Sequence, residues 1–219
     1  MDDKNLTHNL SKLISWYHPA FIISTWFGIG KIAIAPGTMG SLAAFPVFIL
    51  FHYLLAFTTS EQEYVNLFLL LTALLYVIGQ WATGVYMKKT AKHDPKEIVI
   101  DEVVGQLLVF LAGFILIANK LNLFDHLYLT SDNTLTSMSF AKISTFFTTH
   151  PIHTSYISSA IPIYLICFVL FRFFDILKPW PISWCDKNIK GSFGVMFDDL
   201  FAAMYAIVVL YGTTILILM

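Results

Sequence analysis

Five stretches without a single charged residue, at 42–60, 64–87, 103–119, 155–171 and 200–219, dominate this chain of 219 residues. Each comes close to the roughly 20 residues that a helix needs to cross a bilayer. Such runs cannot all be hidden in one water-soluble core. The rest of the composition agrees: 57% of the residues are hydrophobic and 12% charged, where a soluble domain averages about a quarter charged. The expected fold is an all-α integral membrane protein, one domain over 1–219, built as a bundle of about five transmembrane helices. Pro46 and His52 interrupt the first run, which leaves open whether it crosses or dips in and returns.

Before the first run, Leu6, Leu10, Leu13, Ile14 and Tyr17 recur at helical spacing with Lys4, Asn9 and Lys12 between them. That pattern predicts an N-terminal amphipathic helix lying in the headgroup plane. The opening Met1-Asp2-Asp3-Lys4 lacks the compact apolar core and cleavage site of a secretory signal, so the segment is expected to be retained. Two cysteines, Cys167 inside an apolar run and Cys185 outside one, give no disulfide framework.

With five crossings, eleven of the thirteen Lys and Arg fall on the side of the N-terminus or in the adjoining helix ends; Lys120 and Lys142 alone fall opposite. Basic residues collect on the cytoplasmic side, so the N-terminus is expected there and the C-terminus outside. The segment at about 119–155, rich in Ser, Thr, His and Asn, is expected as an external loop. The net charge of −1 gives no reason to expect nucleic acid as a partner.

The acidic residues are more telling than the basic ones. Asp101-Glu102 and Asp198-Asp199 each stand where an uncharged run begins, and a small residue follows one helical turn after the first acid of each pair, Gly105 and Ala202. One acid in a first turn complements the helix dipole. Two adjacent carboxylates at the edge of lipid repel each other unless a cation lies between them, and hard oxygen ligands favour magnesium, manganese or calcium. Asp94, ahead of the first pair, is a further candidate ligand.

Two more constellations lie on the same side. Pro36-Gly37-Thr38-Met39-Gly40-Ser41 precedes the first run with Lys31 nearby; backbone N–H groups at a helix start suit a phosphate, and a plain capped turn would look the same. Arg172, Asp175 and Lys178 stand at three-residue steps at the end of the fourth run, where Asp175 would be flanked by two cations on one helix face. Arg172 is the only arginine in the chain, and its planar fork suits phosphate. A cysteine-phosphatase cradle is excluded, since the only cysteine upstream of Arg172 is Cys167, inside an apolar run; no Ser-His-Asp constellation or H-E-x-x-H zinc motif is present either.

Taken together, the block from Pro36 to Leu42 with Pro46 beyond, the block from Asp94 through Ile98-Val99-Ile100-Asp101-Glu102-Val103-Val104-Gly105, and the block from Phe171-Arg172 through Lys178-Pro179-Trp180-Pro181 to Gly194 and Asp198-Asp199 resemble the phosphatidylglycerophosphatase A family. The resemblance runs in order from about Trp16 to Val209. It implies magnesium-dependent hydrolysis of phosphatidylglycerophosphate to phosphatidylglycerol at the cytoplasmic leaflet of a bacterial inner membrane. Asp101, Glu102, Asp198, Asp199 and then Asp94 are the expected Mg2+ ligands. Asp101, Glu102, Asp175 and Asp199 are the expected catalytic carboxylates, and Lys31, Thr38, Ser41, Arg172 and Lys178 are expected to hold the phosphate. The segment at 119–155 is longer than the family pattern. Rival expectations are a cation transporter or channel whose acids bind a permeating ion, and a scaffold that binds anionic membrane lipids through the lysine-rich side.

Overall fold

A computed structural model describes residues 15–58, 60–92, 95–121 and 152–218, and everything it describes is helix, turn or irregular chain. The α-helices among the described residues are α1 (Pro19–Ser24), α2 (Pro36–Leu54), α3 (Glu61–Thr90), α4 (Ile100–Leu121), α5 (Ile152–Leu177), α6 (Ile182–Asn188) and α7 (Gly191–Leu218). The expected amphipathic helix and the loop at 119–155 fall largely outside the described residues, as does Asp94.

Helix boundaries follow local chemistry. Pro36 opens α2, where its missing N–H costs nothing and its fixed φ suits a first turn. Ser60 caps α3 by accepting a hydrogen bond from the Glu63 N–H at 3.2 Å. Glu61 and Glu63 in the first turn of α3, with Lys88 and Lys89 in the last, complement its dipole. The first apolar run is one continuous helix as far as Leu54, beginning before the run and passing through Pro46.

Among the described residues, four helices are long and apolar enough to cross a membrane: α2, α3, α4 to Ala118, and α7 to Leu216. The fifth expected run, 155–171, lies within α5, whose side chains are described from residue 161 onward. Burial separates the roles of these helices. In α4, 78% of the apolar window is buried, against 22% in α3, so α4 is the central post and α3 turns Leu70, Leu74, Val77 and Trp81 outward, as a lipid-facing helix must. Packs of α2, α3, α5 and α7 surround α4.

Small residues let the backbones approach, as expected where lipid supplies no hydrophobic drive between helices. A Cβ at Gly105 of α4 would stand 2.6 Å from the Phe171 ring of α5 and 3.1 Å from the carbonyl oxygen of Asp199 in α7. Three helices therefore meet at that one glycine. One to two turns further along α4, Phe110 packs on Phe45 at 4.4 Å, Phe48 at 5.6 Å and Tyr164 at 5.7 Å between ring centres. That aromatic layer floors the end of the bundle where the acids lie.

Candidate active site

Two helices bring the acids together. Asp101 and Glu102 occupy the first turn of α4. Asp198 and Asp199 lie well inside α7, which starts at Gly191, so the dipole at the start of their own helix does not account for the second acidic pair. Both pairs stand where an uncharged run begins, yet in the fold one helix end meets the flank of another helix.

One carboxylate oxygen each from Asp101, Glu102 and Asp199 can be chosen so that all three lie within 4.8 Å of one another. Asp101 and Asp199 are buried, and Glu102 is half-buried. Asp101 Oδ1 accepts from the Glu102 backbone N–H at 3.1 Å, whereas Glu102 Oε2 and Asp199 Oδ2 are buried and meet no hydrogen-bond partner among the described residues. None of the three forms a salt bridge among the described residues. Buried carboxylates this close repel strongly and leave costly unpaired lone pairs. A divalent cation bound by hard oxygen ligands resolves both problems at once, so the residues present fit a metal.

Asp198, expected beside them, turns elsewhere. Its carboxylate pairs with Lys178 at 2.5 Å, and Lys178 also reaches Asp186 at 2.8 Å. The three-residue spacing predicted Lys178 on the face of Asp175, but α5 ends at Leu177 and Lys178 adopts a left-handed backbone (φ 42°). That reversal carries its ammonium across to α6 and α7. Burial pulls the Lys178 pKa down, but Asp198 and Asp186 outweigh it and hold the group well above its ordinary value. Asp175 is left with Arg172 alone, at 2.5 Å.

Arg172 is where the start of α2 joins the site. Its Nη1 donates to Ser41 Oγ at 3.3 Å, and Ser41 Oγ donates to the Gly37 carbonyl at 3.1 Å. A Cβ at Gly37 would overlap Glu102 Oε1 and stand 3.0 Å from Arg172 Nη2; only a glycine lets the first turn of α2 come so close. Thr38 lies in the same turn, half-buried. Lys31 is placed apart from this group. It pairs with Glu97 at 3.6 Å and lies 5.7 Å from the centre of the Phe21 ring. Burial raises the Glu97 pKa, but the hydrogen bond from Lys92 and the Lys31 and Lys92 charges bring it below the ordinary value.

A cleft of about 370 Å³ opens over the acids. Asp101, Glu102, Asp175, Lys178, Asp198 and Asp199 line it, and so do Asp186, Lys187 and Lys190, which sequence reasoning counted only as charges on one side. Their signal was there: three ionisable residues within five positions of a segment bounded by a proline-rich helix stop and a glycine.

The comparisons with known proteins point the same way as the motifs. Residues 22–214 match the phosphatidylglycerophosphatase A family. A phosphatidylglycerophosphatase A of Haemophilus influenzae is 31% identical over 94% of this chain and 94% of its own, and one of Escherichia coli is 29% identical over 89% of this chain and 83% of its own. A relative in Bacteroides thetaiotaomicron, 30% identical over 88% of this chain and 93% of its own, carries the provisional name phosphatidylinositol-3-phosphatase. No solved structure matches. With four helices fit to cross a bilayer and an acidic cleft at one end of the bundle, this chain is a membrane phosphatase and belongs to the phosphatidylglycerophosphatase A family.

Proposed function

We propose that this protein hydrolyses phosphatidylglycerophosphate to phosphatidylglycerol and phosphate, with Mg2+, at the cytoplasmic leaflet of a bacterial inner membrane. The observation that carries the reading is the convergence of Asp101, Glu102 and Asp199, with orphaned buried oxygens on Glu102 and Asp199, beside Arg172 and the first turn of α2. Asp101, Glu102 and Asp199 would hold the metal, which when bound neutralises their charge and draws electron density from the phosphate.

The remaining groups suit the phosphomonoester. Arg172 offers Nη2 to the phosphate, while Asp175 and Ser41 hold Nη1 and fix the direction of the guanidinium. The N–H groups at the start of α2 add dipole and donors. Hydrolysis adds a water oxygen to phosphorus and breaks the bond to the glycerol oxygen, which takes a proton. A carboxylate at the cleft, Asp199 or Asp175, would take the proton from the water. Asp198 serves from one step away, holding Lys178 over the cleft. Five crossings with the N-terminus inside would put this end of the bundle at the inner leaflet, a reading that the skew of basic residues supports.

The test is phosphate release from phosphatidylglycerophosphate by purified protein in detergent, with and without chelator. Release that stops with chelator and returns with Mg2+ is expected. A folded protein that releases no phosphate from this lipid, but does so from phosphatidylinositol 3-phosphate, would move the substrate to that of the Bacteroides relative's name. The cation-transporter reading gains nothing from the geometry, because the carboxylates gather in one cleft and do not line a path.

A further inference from the structure

One turn below Glu102, α4 carries a residue that none of the foregoing chemistry uses. Gln106 is fully buried, and neither its Nε2 nor its Oε1 meets a hydrogen-bond partner among the described residues. A buried amide left that way is destabilising, and an apolar side chain of the same size would be the more stable choice if packing alone mattered.

Its position is informative. Gln106 follows Glu102 by four residues, so both stand on one face of α4, and long helical side chains lean back over the preceding turn. That lean carries the amide toward Glu102. Neighbours fix its level in the bundle: Gly105 packs on the ring of Phe171, the residue before Arg172, and Phe110 belongs to the aromatic floor. Gln106 therefore lies between the layer of Glu102 and Arg172 and the layer of aromatic rings. Those same two residues carry further orphaned atoms, Glu102 Oε2 and Arg172 Nε. The sets are complementary. An amide N–H needs an acceptor, which Glu102 Oε2 is; the Arg172 Nε–H needs an acceptor, which Gln106 Oε1 is.

We propose that Gln106 is a positioning residue that couples the metal-binding carboxylate to the phosphate-holding arginine, with Nε2–H donating toward Glu102 Oε2 and Oε1 accepting from Arg172 Nε–H, each across one water at most. This rests on the reading that Asp101, Glu102 and Asp199 hold a divalent cation.

The experiment measures Mn2+ binding by electron paramagnetic resonance, and thermal stability without metal, on the full chain in nanodiscs. Gln106→Met is expected to bind Mn2+ roughly 10- to 100-fold more weakly, while its metal-free melting temperature stays level or rises. Combined with Glu102→Gln, it should cost little further affinity, because the residue it acts through is already changed. Should Met fail to fold, Gln106→Leu, which likewise removes both amide partners and adds no charge, carries the same expectation. Wild-type Mn2+ affinity in a folded variant, or an undiminished loss on the Glu102→Gln background, overturns the coupling alone. Absence of Mn2+ binding to the wild type overturns the cation reading and this inference with it.

Discussion

Asp199 is the residue at which charge, burial and the lack of a partner coincide most sharply: its side chain is 4% exposed and its Oδ2 is orphaned. Asp199→Asn removes the charge at nearly constant volume. Turnover is expected to fall at least ~100-fold, beyond what changes to the partners of metal ligands typically cost. The metal-free protein should melt no earlier than wild type, since one source of repulsion is gone. The stabilisation expected of the wild type in saturating Mg2+, about 2.7 kcal/mol at 100 times Kd, should vanish in the variant, and thermal melts with and without Mg2+ read both effects. Arg172 offers a second test by shape. Arg172→Lys keeps the charge and the partnership with Asp175 but loses the planar fork. A five- to tenfold loss in kcat/KM, about 1 kcal/mol, with unchanged melting is expected; a fully active Lys variant would pass phosphate recognition to the start of α2.

At the scale of elements, the site depends on how closely the first turn of α2 sits on α4. Gly37→Ala would drive a Cβ into Glu102 Oε1 and against the Arg172 guanidinium. The atoms it meets are the far ends of flexible side chains, so thermal stability should hold while activity drops by tenfold or more; undiminished activity would mean that α2 stands further from the acids than this packing requires. The same scale shows where sequence periodicity misleads. Arg172, Asp175 and Lys178 share a helix face only if the helix continues, and the left-handed Lys178 ends it, sending one cation to α7 and leaving the other with Asp175. Pro179 and Pro181 signalled a stop nearby, but which way the chain turned after it depended on α6 and α7 being there to receive the lysine.

For the whole molecule, the orientation is open to direct test. Single cysteines at 88–92 and 187–190, on a background lacking Cys167 and Cys185, should resist an impermeant thiol reagent in sealed cells and react once the membrane is permeabilised. Labelling in sealed cells would place the cleft outside and remove the substrate from the inner leaflet.

The apolar runs fixed the class of fold before any coordinates, because a helix that satisfies its own backbone is the economical way to carry some twenty apolar residues through lipid. The acids Asp101, Glu102 and Asp199 were legible too, since carboxylates at a lipid edge have few reasons to exist. What required the tertiary structure was the sorting among residues of equal promise. Asp198 and Asp199 are adjacent in sequence, yet about 100° of helix rotation turns one to Lys178 and the other to Glu102 and Asp101. Lys31 and Arg172 are both cations near the motifs, yet only Arg172 comes to Ser41 and Gly37, while Lys31 is claimed by Glu97. Sequence determines which chemical groups lie at the membrane edge; side-chain direction and the distance between helices, set by packing around Gly37 and Gly105, decide which of them meet.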